Sequence, residues 1–430
     1  MKRMKMFLSA LIALSVIGMV YAGGGAQSGG GGSSSGGSGG KTEVRLQVNE
    51  GNDKTYADQL ALFERENNAS VVLDITPWDQ SALKYALSYA AGRAPDVVEL
   101  GDWSIRGDIL NNRLYPLNEF FTDAEIKEMN PGFVQRFSNN GKLFALISTT
   151  DCRMIFYNKA LFRQAGLDPN KFPETWAELI SIFPKLNHIR GPNQYAYGFI
   201  GSATAIHAPI MWETLVRSIG SYAIDPDTGR VLLGNPQTVR AAELYRDLIA
   251  RGYAPRSVLG YDETEVDNEF IEGNFAVILS GSWKYPAYEK AGFNITDLGW
   301  AKIPKVDNGI FATIGGVWAL CLSSKTNNPA LSFKLAKSIY SEDFLIRRLS
   351  EQGGVPVYDK HFKVIEKDPY LLWIANYFRE NGQAELHSAY FLEDIAGIGS
   401  ALNTAFGGSG DIKATFDRTA NELNSRHNIR

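Results

Sequence analysis

The chain has 430 residues, of which 44% are apolar and 21% are charged, and its formal net charge is −4. This length predicts two domains, each with enough chain to bury a core, and the composition is that of a globular protein. The negative charge argues against nucleic acid as a partner, because nucleic-acid binding needs a basic surface.

Residues 1–40 are expected to lie outside the folded domains. Residues 1–22 have a basic start, an apolar run from Met6 to Val20 and a small-x-Ala cleavage site, the pattern of a secretory signal peptide. A membrane anchor is the alternative, but the run is short for a span, and no Cys directly follows it for lipid attachment. Residues 23–40 are almost entirely Gly and Ser and predict a flexible linker, either native or artificially added. We therefore expect a secreted, periplasmic protein.

The first predicted lobe alternates strands with helices. Strands are expected at 44–48, 71–75 and 96–100, and helices are expected to begin at Thr55 and Ser81. This alternation predicts a parallel or mixed sheet in an α/β lobe. Ligands of such sheets bind beyond the carboxyl ends of the strands. The polar and aromatic loops after these three strands are therefore candidate binding loops.

A polar break separates two predicted strands in the middle of the chain. Residues 143–147 and 154–157 are apolar, and Asp151 and Arg153 lie between them. Packing alone gives no reason to place a carboxylate and a guanidinium between two buried strands. We therefore expect the chain to cross there between two lobes and to present polar side chains to the cleft.

The second predicted lobe surrounds a buried strand at 275–279, which follows a short helix at 267–273. Thr175-Trp-Ala-Glu178 is a capping box that begins a helix, and Asn235-Pro236 begins another. Further helices are predicted to begin at Asn328-Pro329, at Ser341 and beyond about residue 360.

Four stretches resemble, in order, segments of one family. Residues 148–166 combine the polar break with Met-Ile-Phe-Tyr-Asn-Lys and a helix that ends in Ala-Gly, and residues 272–283 combine a buried strand with Gly-Ser-Trp. Residues 314–320 read Ile-Gly-Gly-Val-Trp-Ala-Leu, and Gly353 to Pro356 and Phe406-Gly-Gly follow. Over nearly all of residues 43–425 the chain resembles the solute-binding proteins of ATP-driven importers, in particular the sugar-binding subgroup that includes the maltose-binding protein.

This resemblance implies an α/β, two-lobed periplasmic binding protein fold of type II, with mixed sheets joined by hinge crossover strands near residues 151 and 316. It implies an N-terminal lobe of residues 41–150 plus about 318–358, to which the helices at 328 and 341 return. The C-terminal lobe would contain residues 151–317 plus about 359–430. Such a protein binds a carbohydrate in the cleft, closes by a hinge and delivers its ligand to permease subunits of an ABC transporter. We expect a monomer with no cofactor and no catalytic activity.

The resemblance also implies polar ligand contacts near the first strand. Asp53-Lys54 resembles the Asp-Lys pair with which the family binds sugar hydroxyls. Two additional residues precede it here, so Glu50 or Asn52 could take its place. Asp102, after the third strand, has an approximate counterpart in the family.

At the crossovers, Asp151 lies six residues before Tyr157, where maltose-binding proteins carry a binding carboxylate. Arg153 either binds the ligand or pairs with Asp151, and the sequence leaves both roles open. Gly316 lies in the returning crossover and is included in the predicted site.

Aromatic rings bind the flat C–H faces of sugars. Trp283 matches the stacking tryptophan of the family. The tryptophans next to Gly or charged residues at predicted loops or strand ends are candidate contacts: Trp78, Trp103, Trp212, Trp283 and Trp318. The tryptophans in apolar periodic runs are expected in the core: Trp176, Trp300 and Trp373.

The sequence offers no metal site and no catalytic motif. The five His residues are scattered, without a His-x-x-His or Cys pair, and neither a phosphate-binding loop nor a Gly-x-Ser-x-Gly segment is present. Cys152 and Cys321 could form a disulfide in an oxidising compartment, but their apolar contexts favour two buried thiols.

Two other functions remain open. An acidic, aromatic cleft also suits a polyamine, because cations bind well to tryptophan faces. A secreted glycoside hydrolase would use Asp151 and a second acid such as Asp102, with carboxylates about 5–10 Å apart.

Overall fold

The computed structural model describes residues 40–49, 53–128, 131–357, 361–385, 388–408 and 410–429. The expected signal peptide and nearly all of the Gly/Ser segment lie outside these residues, and so do Glu50 and Asn52 of the predicted site. Within the described residues, no helix is both long enough and apolar enough to span a bilayer.

The strands of the described residues are β1 (Thr42–Val48), β2 (Ala69–Ile75), β3 (Val97–Gly101), β4 (Ser138–Asn139), β5 (Lys142–Leu143), β6 (Leu146–Thr150), β7 (Arg153–Asn158), β8 (Tyr195–Gly198), β9 (Phe275–Gly281), β10 (Leu298–Ala301), β11 (Thr313–Gly315), β12 (Val317–Leu322), β13 (Val355–Pro356) and β14 (Gly382–Ala384). The α-helices are α1 (Asp53–Asn67), α2 (Trp78–Ala90), α3 (Asp102–Leu110), α4 (Asp123–Glu128), α5 (Pro131–Arg136), α6 (Lys159–Gln164), α7 (Trp176–Leu186), α8 (His207–Ser218), α9 (Pro236–Ala250), α10 (Glu263–Ile271), α11 (Lys284–Lys290), α12 (Pro329–Ile339), α13 (Glu342–Gln352), α14 (Phe362–Ile365), α15 (Pro369–Asn381), α16 (Phe391–Phe406) and α17 (Ile412–Arg426). Short 3₁₀ helices cover 118–120, 256–260 and 295–297.

A six-stranded mixed sheet forms the first lobe, with the order β13-β6-β12-β3-β1-β2. β1 pairs in parallel with β2 and β3, whereas β12 is antiparallel to both β3 and β6. Successive side chains of a strand point to opposite faces. Leu320 of β12 accordingly belongs to one core cluster and Ala319 to another. Both faces of this sheet are therefore covered, and we call this half the N-terminal lobe.

A four-stranded mixed sheet, ordered β10-β7-β9-β8, forms the second half, which we call the C-terminal lobe. Its strand β9 is parallel to β8 and antiparallel to β7. Every residue of β9 is buried, as expected for a strand with both faces covered. The continuous apolar run that predicted this strand therefore reflects its central place in the sheet.

The chain leaves the six-stranded sheet after β6 and returns to it at β12, near the expected crossovers at 151 and 316. β6 belongs to the six-stranded sheet and β7 to the four-stranded sheet, so the first passage is Asp151-Cys152. Gly316 separates β11, which pairs with β14, from β12 of the six-stranded sheet. The Gly316 N–H donates a hydrogen bond of 3.0 Å to Asp151 Oδ1. One carboxylate thus joins both crossovers.

Several helices begin at residues other than those expected from the sequence. α1 begins at Asp53 rather than Thr55, and α2 begins at Trp78, directly after Pro77, rather than at Ser81. α10 begins at Glu263, where Asp262 and Glu265 form a capping box. The capping box of α7 and the Asn235 cap of α9 are present as predicted.

Strand boundaries and the two late helices also show differences. The predicted strand at 143–147 is divided into β5 and β6, and β6 continues to Thr150. α12 packs against the six-stranded sheet, as expected. α13 contributes Leu345 and Leu349, one helical turn apart, to a core cluster that contains both Val355 of β13 and residues of the four-stranded sheet. Cys152 and Cys321 are both buried and unbonded.

Candidate functional site

A cavity of about 250 Å³ is lined by residues of both lobes. Its position agrees with the strand-end rule for α/β sheets, because Asp151 and Glu385 of the lining directly follow β6 and β14, and Trp283 lies two residues after β9. The lining residues are Trp78, Trp103, Thr149, Thr150, Asp151, Arg153, Ile206, His207, Ile210, Glu263, Trp283, Lys284, Trp318, Gln352, Gly354, Glu385 and Phe391.

Two Gly-x-Trp segments, one from each lobe, supply tryptophans to this cavity. β3 ends at Gly101, two residues before Trp103, and β9 ends at Gly281, two residues before Trp283. A Cβ at Gly101 would lie 2.2 Å from the Trp103 ring, and one at Gly281 would lie 1.9 Å from the Trp283 ring. Each ring therefore folds back over its glycine, and any side chain there would displace the ring.

Aromatic rings form a continuous wall around Trp103. The Trp103 ring packs edge-on against Trp318, with centroids 4.8 Å apart, and lies 6.2 Å from Trp78. It also lies 6.1 Å from the ring of Phe391, at the start of α16. These perpendicular and tilted arrangements are the favourable geometries of aromatic pairs. This wall offers mainly ring surface to the cavity.

Arg153 organises a charged group at the first crossover. Its Nη1 pairs with Asp151 Oδ1, and its Nη2 lies 2.9 Å from Glu385 Oε2. Burial raises the pKa of Asp151 to about 6, although the Arg153 charge opposes this shift. Both carboxylates line the cavity, so the guanidinium holds two potential acceptors for a ligand in place.

Glu263, at the start of α10, organises a second charged group. Its Oε1 accepts a hydrogen bond of 3.2 Å from Trp283 Nε1–H and lies 3.3 Å from Lys284 Nζ. Its Oε2 lies 3.4 Å from His207 Nδ1. Burial alone would raise the pKa of Glu263, but His207 and Lys284 outweigh it and lower the pKa to about 2. The carboxylate is therefore ionised and fixes the orientation of Trp283.

Of the residues expected at the site, those that line the cavity are Trp78, Trp103, Asp151, Arg153, Trp283 and Trp318. Gly316 does not line the cavity, but its N–H donates a hydrogen bond to Asp151, and a Cβ at this position would lie 2.7 Å from Glu385 Oε2. Asp53 and Lys54 form the first residues of α1. Their role in binding remains a prediction.

Two expected site residues require correction. Trp212 lies in the middle of α8 rather than in a loop, has no exposed surface and packs against Phe416. Asp102 is likewise buried, and its Oδ2 lies 2.7 Å from Arg136 Nη2. Burial raises the pKa of Asp102 to about 7 against the opposing charge of Arg136. Neither residue lines the cavity, and each side chain packs against or pairs with another side chain of the fold, so we do not retain either one as a proposed ligand contact.

The core assignments of the remaining tryptophans agree with the structure. Trp176 is fully buried, and Trp300 and Trp373 are half-buried against the same core cluster.

Sequence reasoning missed His207, Glu263, Lys284, Glu385 and Phe391. His207, Glu263 and Phe391 each begin a helix, and a position at the start of a helix does not by itself indicate contact with a ligand. Lys284 could have been found because it follows Trp283 directly. Glu385 lies far along the chain from Arg153, and only the folded structure pairs them. Among the described residues, no group of His, Cys, Asp and Glu side chains is arranged to hold a metal ion.

The fold and the position of this cavity define a two-lobed solute-binding protein of the type II class. The sequence profile of the family described as bacterial extracellular solute-binding protein matches residues 48–344. This match covers more than half of the chain, and the chain belongs to this family. The resemblance noted from the four sequence stretches is thereby confirmed.

Individual relatives agree with this assignment. The chain is 24% identical to the galactooligosaccharide-binding protein of Bacillus subtilis over 387 residues, which cover 84% of each protein. The structure of maltose-bound MalE3 from T. maritima matches 90% of this chain and 100% of that chain, with a TM-score of 0.77 and 21% identity. UgpB from Mycobacterium tuberculosis, in complex with glycerophosphocholine, matches 90% of this chain and 99% of its own, with a TM-score of 0.76 and 20% identity.

Proposed function

We propose that this protein is the substrate-binding component of an ABC importer and binds a sugar or oligosaccharide in the cavity between its lobes. The observation that carries this proposal is the composition of the cavity wall. Tryptophans from both lobes surround carboxylates, an arginine and two threonines. Sugars require this combination, because rings contact their C–H faces and charged groups bind their hydroxyls.

Asp151 connects ligand binding to the hinge in this proposal. The same carboxylate lines the cavity, accepts the Gly316 N–H and pairs with Arg153. A hydroxyl that donates to Asp151 would therefore contact the point where the two crossovers meet. Closure of the lobes around the ligand is the hinge motion expected for such proteins.

A neutral ligand fits the cavity charges better than a polyamine does. Asp151 and Glu385 share Arg153, and Glu263 lies beside Lys284. Lys284 is shared between Glu263 and Asp267, so each of the three carboxylates that line the cavity already has a cationic partner within the protein. A polycationic ligand would have to compete with these internal partners, whereas sugar hydroxyls use the remaining acceptor positions.

Binding is also favoured over glycoside hydrolysis. A hydrolase needs a second acid that reaches the glycosidic bond, and Asp102, the acid considered for that role, is buried against Arg136. One relative named above is a galactooligosaccharide-binding protein by description, and the T. maritima structure named above contains maltose. We accordingly propose a non-catalytic monomer, exported to the periplasm by its signal peptide, which presents the closed form to membrane permease subunits.

A thermal-shift panel tests this function. Glucose, galactose, maltose, maltotriose and galactooligosaccharides are compared with putrescine and spermidine at matched concentrations. A ligand present at 100 times its dissociation constant stabilises the native state by about 2.7 kcal/mol, so the cognate sugar should raise the melting temperature clearly. The Trp283→Ala variant, measured beside the wild type, should lose most of this shift.

Stabilisation by a polyamine with no response to any sugar would contradict the carbohydrate proposal. Release of shorter sugars from an oligosaccharide during incubation would contradict the non-catalytic assignment.

A further inference from the structure

His207 contacts tryptophans of both lobes inside the cavity. Its imidazole stacks on the ring of Trp78, at the start of α2, with centroids 5.0 Å apart and an interplanar angle of 10°. The same imidazole lies 5.8 Å from the ring of Trp283, at an angle of 37°. A flat ring of the protein therefore already covers part of the tryptophan surface that faces the cavity.

The position of His207 is fixed by the charged group around Glu263. His207 Nδ1 lies 3.4 Å from Glu263 Oε2, while Glu263 Oε1 is bound to Trp283 Nε1–H and lies beside Lys284. Lys284 Nζ in turn lies 2.5 Å from Asp267 Oδ2. Because this chain of contacts holds both Trp283 and His207, the imidazole is a supported part of the wall.

A ring stacked on a tryptophan face occupies the place that the C–H face of a sugar ring would use. We propose that His207 is a specificity-determining residue, which fills one ring position between Trp78 and Trp283 and so limits the size of the saccharide that the cavity accepts. This proposal rests on the proposed carbohydrate function. It goes beyond that function because it assigns the size limit to one side chain that the sequence analysis did not select.

The volume of the His207 ring, rather than its hydrogen-bonding capacity, carries this role. Two variants separate these properties. His207→Ala removes the ring and opens the position, whereas His207→Phe keeps an aromatic ring there and removes the contact with Glu263. Melting temperatures of both variants without ligand establish that each is folded.

Calorimetric titration with maltose and maltotriose measures the size preference. For His207→Ala, the ratio of maltotriose affinity to maltose affinity should rise about tenfold or more over the wild-type ratio, since one additional stacked ring contributes of that order. His207→Phe should keep the wild-type ratio. An unchanged ratio in His207→Ala would overturn the proposal, and so would an equal change in both variants, because the contact with Glu263 would then be the determinant.

Imidazole itself provides a test that does not depend on a sugar. Free imidazole should bind His207→Ala saturably, with a change in tryptophan fluorescence and a raised melting temperature, and should have neither effect on the wild type or on His207→Phe. Equal responses of all three proteins would overturn the proposed ring position. If imidazole acts only on His207→Ala while no protein binds any saccharide, the carbohydrate function fails and the ring position is supported.

Discussion

The two Gly-x-Trp segments share a local sequence pattern but have different surroundings. Trp103, from the N-terminal lobe, is surrounded by the rings of Trp318, Trp78 and Phe391. Trp283, from the C-terminal lobe, is held by a hydrogen bond to Glu263 and by the Arg153 guanidinium, 5.2 Å from its ring centroid. One wall is thus fixed by apolar packing, and the other by polar contacts that also face the ligand.

The middle residues of these segments show the same contrast. Asp102 forms a buried ion pair with Arg136, whereas the Ser282 hydroxyl accepts a hydrogen bond of 3.2 Å from the Cys152 N–H at the first crossover. The two segments thus have glycine and tryptophan at the same positions, but the residue between them makes an ion pair in one segment and a backbone hydrogen bond in the other. We expect the aromatic wall to supply contact surface and the polar wall to determine the orientation and the choice of ligand.

The largest expected effect is on stability, from Asp102→Ala. At pH 8, above the pKa of about 7 of Asp102, removing the carboxylate leaves Arg136 buried without its ionic partner, so the free energy of unfolding should fall by about 3–5 kcal/mol. Ser282→Ala, the matched change in the other segment, should cost only about 1–3 kcal/mol, because it removes one hydrogen-bond acceptor. Denaturant unfolding of both variants checks this, and equal losses would remove the distinction between the segments.

The second effect is on affinity, from Trp283→Ala. Loss of its stacking surface should weaken saccharide binding by about 2–4 kcal/mol and should lower the melting temperature of the free protein by less than Trp103→Ala does. Trp103→Ala should lower both affinity and melting temperature, because three neighbouring rings lose their packing partner. Calorimetry beside thermal unfolding separates the two, and a Trp283→Ala protein that loses stability but retains affinity would contradict this assignment.

Asp151→Asn tests the carboxylate of the polar wall. The asparagine oxygen can still accept a hydrogen bond from the Gly316 N–H, but the substitution removes the negative charge. Saccharide binding should therefore weaken by about 1.5–3 kcal/mol. Because the change also leaves Arg153 with one anionic partner fewer, stability should decrease as well. Affinity equal to that of the wild type would show that Asp151 serves the hinge alone.

The smallest expected effect is the pH dependence that Glu263 contributes. Its pKa is lowered from 4.5 to about 2 in the folded protein, so its stabilisation is complete above pH 4.5 and is lost as the pH falls toward 2. The stability difference between the wild type and Glu263→Gln should therefore decrease by about 1–2 kcal/mol between pH 5 and pH 3. A difference that stays constant over this range would contradict the ionised, anchored state of Glu263.

Most strands and helices could be predicted from the sequence, because periodicity and capping boxes are local signals, whereas the two-lobed type II arrangement was implied by the resemblance of four stretches to a known family. The tryptophans beside strand-end glycines could likewise be predicted from the local sequence. Trp212 could not be separated from them, since its burial depends on α17, which contributes Phe416 from far along the chain. Glu385 and His207 were missed because their partners Arg153, Trp78 and Glu263 are brought to them only by folding.

The central claim is that a saccharide binds between the lobes and draws them together at the Asp151–Gly316 junction. Small-angle X-ray scattering of the wild-type protein, with and without the saccharide that stabilises it most, measures this most directly, and Trp283→Ala at the same saccharide concentration is the control. The account predicts a smaller radius of gyration for the wild type with saccharide and little change for the variant. Identical wild-type curves at a saccharide concentration that calorimetry shows to be saturating would contradict it.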